Sequence, residues 1–507
     1  MFRIAPSLLI NPHLRSAYAL IGSLRVVGGD PAKVDQLFSI ILNSKLVEQF
    51  SEKHLSLSLA LVLSPGLAGN ANVGLAAESL AKRLLGTDLS LQGCNQILGA
   101  LAKRKSSPIS IQFAQTVFDR FVSDFAPNAP SRELSNVFWA AMVLRLSGAV
   151  PMLAARHSAG LAALLKEMDC VDLSLVCAGL MDSPDEPIWV DVRAELLSRP
   201  TFTPKDVPSI FCSLACAGIN DRELILHLAN VIQRDALMNS RNCPAILWAL
   251  ATCDSIHPGL VEDAVQLINS HNRIRDPLDV RRVSRAFAVW GKLGLIERWL
   301  LERVLLKENG TALSDGLLVW EFATNGLFAS AVKFFRSNTL DAWKAQAASD
   351  PNIASQLYHL YLASLLQKSP GLSLAESDWL LSLQGAFSSI SENMLSSQLH
   401  VQASDALNRL DISHVSEFRE PLTGYVIDVF VPSLKLGIEV QGPTHFITDL
   451  ETGSSILRPA DSFKHTLLKK IAGIPILQLT PWNFGRRIRG CHSAQLQKLL
   501  DRHLAKT

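Results

Sequence analysis

The chain has 507 residues, 48% of them hydrophobic and 19% charged, which supplies apolar surface for large cores and excludes an intrinsically disordered chain. Lys and Arg number 48 against 46 Asp and Glu, so overall charge makes no case for nucleic acid and any such case must come from local patches. No apolar run reaches membrane-spanning length, so no membrane insertion is expected, and abundant Leu with only 4 Tyr suits stacked helices better than a large β-protein.

Residues 1–29 carry Arg3, Arg15 and Arg25 among Ser and Leu, with no acidic residue before Asp30. This composition fits an organellar targeting segment, mitochondrial or alternatively plastid, because an Arg-bearing amphipathic helix is drawn to a negative-inside membrane. A first helix over residues 14–24 with a basic face accounts for the same residues. The chain's 8 cysteines include no CxxC pair. Cys212 and Cys216 stand one helical turn apart, but no His or Cys cluster completes a metal site. Reduced, buried packing residues are expected, with no metal and no cofactor.

From residue 30 to 337 a nine-residue apolar block recurs, often with Ala or Gly near its end. It starts at Leu57, Ile97, Val137, Ser174, Ile210, Ile246, Ala286 and Leu318, at intervals of 32 to 40 residues. That period predicts helix–turn–helix units stacked into an α-solenoid, with small residues letting neighbouring helices approach closely. Second helices are expected in several units, for example over residues 260–268 and 296–306. Trp139, Trp248, Trp290 and Trp320 lie in these blocks, and an aromatic surrounded by Leu and Ala is read first as core. The blocks at Ile246 (ILWALATCD) and Ala286 (AFAVWGKLG) resemble the octotricopeptide and heptatricopeptide repeats, which carry a similar "LAWALAKLG" helix. The resemblance implies RNA binding along the repeats, while protein-binding solenoids use the same architecture.

Residues 271–307 hold nine basic against four acidic side chains. Arg281, Arg282 and Arg285 begin a helix there, and the three-residue spacing puts Arg282 and Arg285 on one face, where they can grip phosphates or simply remain solvated. Residues 338–390 stay helical without the repeat and read as a cap and connector.

Beyond residue 391 the pattern changes to αββαβ: a helix over 396–410, strands over 425–431 and 435–441, a helix over 462–471, a strand over 475–479, and a final helix over 492–504. Tyr425-Val426-Ile427-Asp428, then Ile438-Glu439-Val440-Gln441-Gly442-Pro443-Thr444-His445-Phe446, the lysine-bearing helix and Pro481-Trp482 follow in order. Residues 391–507 thereby resemble a RAP domain, named for RNA-binding proteins abundant in apicomplexans. The resemblance implies a small α/β fold with a restriction-endonuclease-like core. It also implies a role in organellar RNA metabolism, with rRNA and the proteins of the mitochondrial ribosome or another ribonucleoprotein as partners.

Nucleases of that fold hold a divalent metal between an Asp and a Glu on adjacent strands, to lower the pKa of a bound water. Asp428 and Glu439 stand at those positions. Gln441 replaces the lysine that would follow, so the set reads as a degenerate site without catalysis, with His445 and Glu392 unable to restore it. The alternatives are a metal-dependent endoribonuclease or RNA-processing factor, and a protein–protein scaffold. Charge divides the domain: three basic and eight acidic residues over 391–450, ten basic and three acidic over 451–507. Lys464, Lys469, Lys470, Arg486, Arg487 and Arg489, with His445, are the expected phosphate contacts. Trp482 is expected either to stack on an unpaired base or to pack under the terminal helix.

Overall fold

The structure is a computed structural model that describes residues 38, 41–42, 50–63, 72–103, 111–155, 161–183, 187–270, 274–305, 316–367, 371–390, 398–484 and 492–504. Residues 1–29, with the three arginines of the expected targeting segment, Glu392, and Arg486, Arg487 and Arg489 lie outside the described residues. The chain is mostly helical and divides into two compact units, Met1–Ile219 and Asn220–Thr507.

In the first unit the helices are α1 (Glu52–Val62), α2 (Val73–Leu85), α3 (Leu91–Lys103), α4 (Ile111–Asp124), α5 (Ser131–Val143), α6 (Ala149–Ala155), α7 (Leu161–Glu167), α8 (Cys170–Leu180), α9 (Ile188–Ser198) and α10 (Asp206–Cys216). The helices carrying the recurring block, α1, α3, α5, α8 and α10, pack consecutively into one row. Small residues permit that spacing. A Cβ on Gly179 of α8 would stand 3.0 Å from the Phe138 ring and 3.3 Å from the Trp139 backbone of α5. Polar contacts repeat at the same interval. Ser135 Oγ donates to Asp172 Oδ1 at 3.1 Å across 37 residues, and Arg132 Nε lies 2.6 Å from the same oxygen. Asp172 also closes a capping box with Asp169 at the start of α8.

The second unit continues with α11 (Arg222–Arg234), α12 (Cys243–Thr252), β1 (Ser255–Ile256), α13 (Pro258–Ser270), α14 (Pro277–Val289), α15 (Glu297–Leu305), α16 (Gly316–Thr324), α17 (Phe328–Phe335), α18 (Leu340–Ser349), α19 (Pro351–Leu365), α20 (Leu374–Ser382) and α21 (Gln384–Ile390). Here α12, α14, α16, α19 and α21 form a row. The row runs through residues 338–390, where the block's letters change but its apolar face persists in Ala354, Leu357, Tyr358 and Leu360, all buried. A second serine–carboxylate pair recurs at the same separation of 37 residues: Ser284 Oγ donates to Glu321 Oε2 at 2.6 Å, with Arg285 Nη1 3.8 Å from Oε1.

The sheet region comprises α22 (Gln398–Arg409), β2 (Val415–Arg419), β3 (Val426–Val431), β4 (Leu436–Val440), β5 (Phe446–Asp449), β6 (Ser455–Leu457), α23 (Pro459–Lys470), β7 (Ile476–Leu479) and α24 (His492–Leu504). One sheet has the order β2-β3-β4-β7, antiparallel except for the parallel pair β4–β7. Alternation in β3 buries Ile427, Val429 and Val431. Val429 and Val431 pack toward Leu407 of α22 and Leu496 and Leu500 of α24, and Ile427 packs toward Leu468 of α23. The predicted αββαβ order is present, with β2, β5 and β6 added to it.

The strands β1, β5 and β6 form a second small sheet, with β1 contributed by the turn between α12 and α13 and parallel to β5. Thr448 N donates to Asp254 O at 2.7 Å and Leu450 N to Ile256 O at 2.9 Å. Arg458 pairs with Asp254, and Arg222 Nη2 donates to Leu450 O at 3.2 Å. The buried Trp290 indole donates to Ser255 O at 2.9 Å and fixes β1 from the helical side. Among the described cysteines, Cys94, Cys177, Cys243 and Cys253 are buried as expected, whereas Cys170 and Cys212 are half-buried and Cys216 exposed. Burial pushes the thiols of Cys94, Cys177 and Cys243 up to about 12, which keeps them protonated.

Candidate nucleic-acid interface

On the row of the second unit, the three-residue spacing in α14 places Arg282 and Arg285 on one face, between tryptophans of the adjoining helices. The Arg282 guanidinium lies 6.0 Å from the Trp248 ring centre of α12, and that of Arg285 lies 5.4 Å from the Trp320 ring of α16. Both tryptophans are half-buried, as is Trp139 in the first unit, while Trp290 is fully buried. The reading of all four as core therefore holds completely only for Trp290: the third position of the block sits at the edge of the helix face, the fifth points inward. Arg282 also pairs with Asp279 at 3.2 Å, and Arg281 is exposed.

Ring contacts run from Trp320 through the buried His359 to the sheet region. Trp320 meets the His359 ring at 6.2 Å, His359 meets Tyr425 at 6.1 Å and Phe463 at 6.3 Å, and the Lys464 ammonium lies 5.9 Å from the Tyr425 ring. Burial holds the His359 imidazole neutral, with its pKa down to about 4.

Lys464 belongs to a cluster of charges. Its Nζ stands 2.7 Å and 2.8 Å from the two oxygens of Glu439, whose side chain is buried. Burial pushes the Glu439 carboxyl up to about 7; Lys464 opposes the rise, while Asp428 and Asp461 add to it. The β3–β4 ladder ends at the Val429–Ile438 pair, and beyond it the Asp428 carboxylate accepts the Val440 N–H at 2.6 Å. His445 Nδ1 lies 3.0 Å from Asp461 Oδ1, and that carboxylate holds the imidazole pKa above its usual value.

Gln441 is buried and turned toward a different group. Its Nε2 is 3.2 Å from His465 Nε2, and Gln478 Nε2 is 3.1 Å from His465 Nδ1. Burial lowers the His465 pKa to about 4, so the ring is neutral and carries one N–H. One of the two carboxamides must therefore present oxygen to it.

The two carboxylates expected to face a metal are thus engaged within the protein, Glu439 by Lys464 and Asp428 by a backbone amide. Among the described residues no group of three or more His, Cys, Asp and Glu is placed to hold a metal ion, and the residues present do not fit one. Lys469 and Lys470 are exposed at the end of α23. Trp482 is 48% exposed and meets Phe446 edge to face at 5.0 Å. The residue packed under the terminal helix is instead Phe484, against His492 at 5.1 Å and with Leu496 and Leu500.

The chain matches no protein-family model and no characterised protein.

Sequence reasoning missed Asp461, His465 and His359, and the contact of Lys464 with Glu439. The spacing that puts Lys464 and Asp461 one turn apart on α23 was visible. The side of the sheet that this helix covers was not. Among the described residues no helix is long and apolar enough to cross a membrane.

Proposed function

We propose that this chain is a non-catalytic organellar RNA-binding protein of the RAP type, and that its host is the mitochondrial ribosome or a complex that matures its rRNA. The observation that carries this reading is the pair Arg282 and Arg285 of α14, flanked by Trp248 of α12 and Trp320 of α16, the neighbouring helices of the row. Guanidinium planes beside half-buried indoles offer phosphate contacts next to stacking surfaces, which match the phosphates and bases of a single strand of RNA. Exposed Lys469, Lys470 and Trp482 extend that chemistry to the sheet region. The internal engagement of Asp428 and Glu439 supports binding without cleavage. The organellar assignment rests on the Arg-bearing N-terminus together with the family resemblance, and the near balance of charge suits a protein that shares its RNA with protein partners.

Fluorescence anisotropy with organellar rRNA fragments, taken across a salt series, tests the reading. The double variant R282E/R285E is expected to weaken binding by about tenfold or more and to flatten the salt slope by roughly 0.7 for each phosphate no longer neutralised. Undetectable RNA affinity at low salt would overturn the proposal in favour of a protein scaffold. RNA cleavage that disappears in Glu439→Ala and Asp428→Ala would replace it with the endoribonuclease.

A further inference from the structure

The first unit holds a trough of about 720 Å³ along its row of block helices, bounded by Ala60 of α1 and Leu63 just after it, Asn136 and Trp139 of α5, and Leu175 of α8. Its α3 side is formed by Asn95, Gln96, Gly99, Ala100 and Lys103. A Cβ on Gly99 would meet nothing within 4 Å, so the backbone of α3 lies open to the trough there. Half-buried Trp139 lines the trough from α5, the next helix of the row.

The polar groups are mainly carboxamides. Gln96 Oε1 accepts from Ser56 Oγ at 3.4 Å and keeps its amide N–H groups, while Asn136 donates Nδ2 to Arg132 O at 2.8 Å and keeps its oxygen. The trough thus offers both donors and acceptors. Among its described lining residues none is a carboxylate, and Lys103 alone carries a positive charge. Uncharged amides around an aromatic wall and a small-residue floor suit a flat heterocycle with donors and acceptors on its edge, and Lys103 suits a negative charge beside it. The lining comes from four successive row helices. At the usual interaxial distance of about 9 Å they extend over roughly 25 Å, longer than one base.

We infer that this trough binds unpaired bases of a single RNA strand, one of them held between Trp139 and the Gly99–Ala100 floor, with Asn95, Gln96 and Asn136 at its edge. The inference rests on the RNA-binding reading above and adds a base-recognition site in the first unit, apart from the arginine–tryptophan face of the second.

The test uses the full chain with rU10 and rA10 oligonucleotides, combining anisotropy with ultraviolet crosslinking and mass-spectrometric mapping. Gly99→Leu fills the floor from an open helical position and improves helix propensity, so it should leave thermal stability intact. It is expected to weaken oligonucleotide binding by about tenfold or more and to remove the crosslink to the peptide containing Trp139. Asn136→Ala should weaken binding severalfold and carries the test if Gly99→Leu folds poorly. Unchanged affinity in both variants, with crosslinks elsewhere, would overturn the trough while leaving the RNA-binding reading standing. No binding of any RNA by the wild-type chain would remove both. Competition by free uridine or adenosine monophosphate at concentrations matching the strand would overturn the assignment to a strand.

Discussion

Asp172 in the first unit and Glu321 in the second each accept a hydrogen bond from a serine 37 residues earlier. Their surroundings differ. Asp172 sits in the first turn of α8, where the helix N-terminus favours negative charge, and Arg132 approaches to 2.6 Å. Glu321 lies inside α16, its arginine stands 3.8 Å away, and burial pushes its carboxyl up to about 7, with Ser284 and Arg285 only partly opposing the rise. The same pattern of residues therefore gives a helix-terminal ion pair in one place and a buried, proton-retaining acid in the other. Glu439 belongs with Glu321: desolvation dominates it although a lysine stands at bonding distance.

The largest expected effect is on pH dependence. A carboxyl whose folded pKa is raised contributes stability that is fully present below its unfolded value, near 4.5, and is lost as pH climbs through about 7. Raising pH from 5 to 8 is therefore expected to cost the second unit on the order of 3 kcal/mol from Glu321. Glu321→Gln, which keeps an acceptor for Ser284, should remove that share and leave the part due to Glu439. Chemical denaturation with peptide-resolved hydrogen exchange at both pH values checks this; a slope unchanged in the variant would mean that Glu321 is not the titrating group. A smaller effect is expected at Asp172. Asp172→Ala removes a capping box and an ion pair whose arginine can rehydrate, and should cost roughly 1–2 kcal/mol in the first unit by the same measurement. Smallest is Arg285→Ala, which should move the Glu321 titration further upward and shift the pH midpoint of stability with it. A midpoint moving downward would contradict the Coulombic role given to that arginine.

Much of this was legible in the sequence, in uneven measure. The helix rows follow from periodicity, because small and large apolar residues at fixed spacing have few other ways to be buried. The strand from Val426 to Val431 follows from strict alternation. β2 was missed because its VSEFR sequence is mostly exposed and lacks alternation, and β1 because two residues carry no pattern at all. The shared face of Arg282 and Arg285 was readable from their spacing, whereas the flanking indoles belong to other helices and depend on how those helices register. Lys464 shows the limit most clearly. Its charge suggested a phosphate ligand, but which carboxylate it meets depends on the packing of α23 across β4, and no local pattern encodes that distance.

The pairing of β1 with β5 bears on how the chain is made. Ser255 lies roughly 190 residues before Thr448, its partner in that ladder. At ribosomal speeds of about 5–20 residues per second, the first strand waits on the order of 10–40 s before its partner is synthesised. During that interval the strand lacks its ladder partner and its edge is exposed in a nascent chain. The second unit is therefore expected to reach its native state after synthesis rather than during it, and to lean most heavily on chaperones just before the hairpin at Phe446–Leu457 emerges.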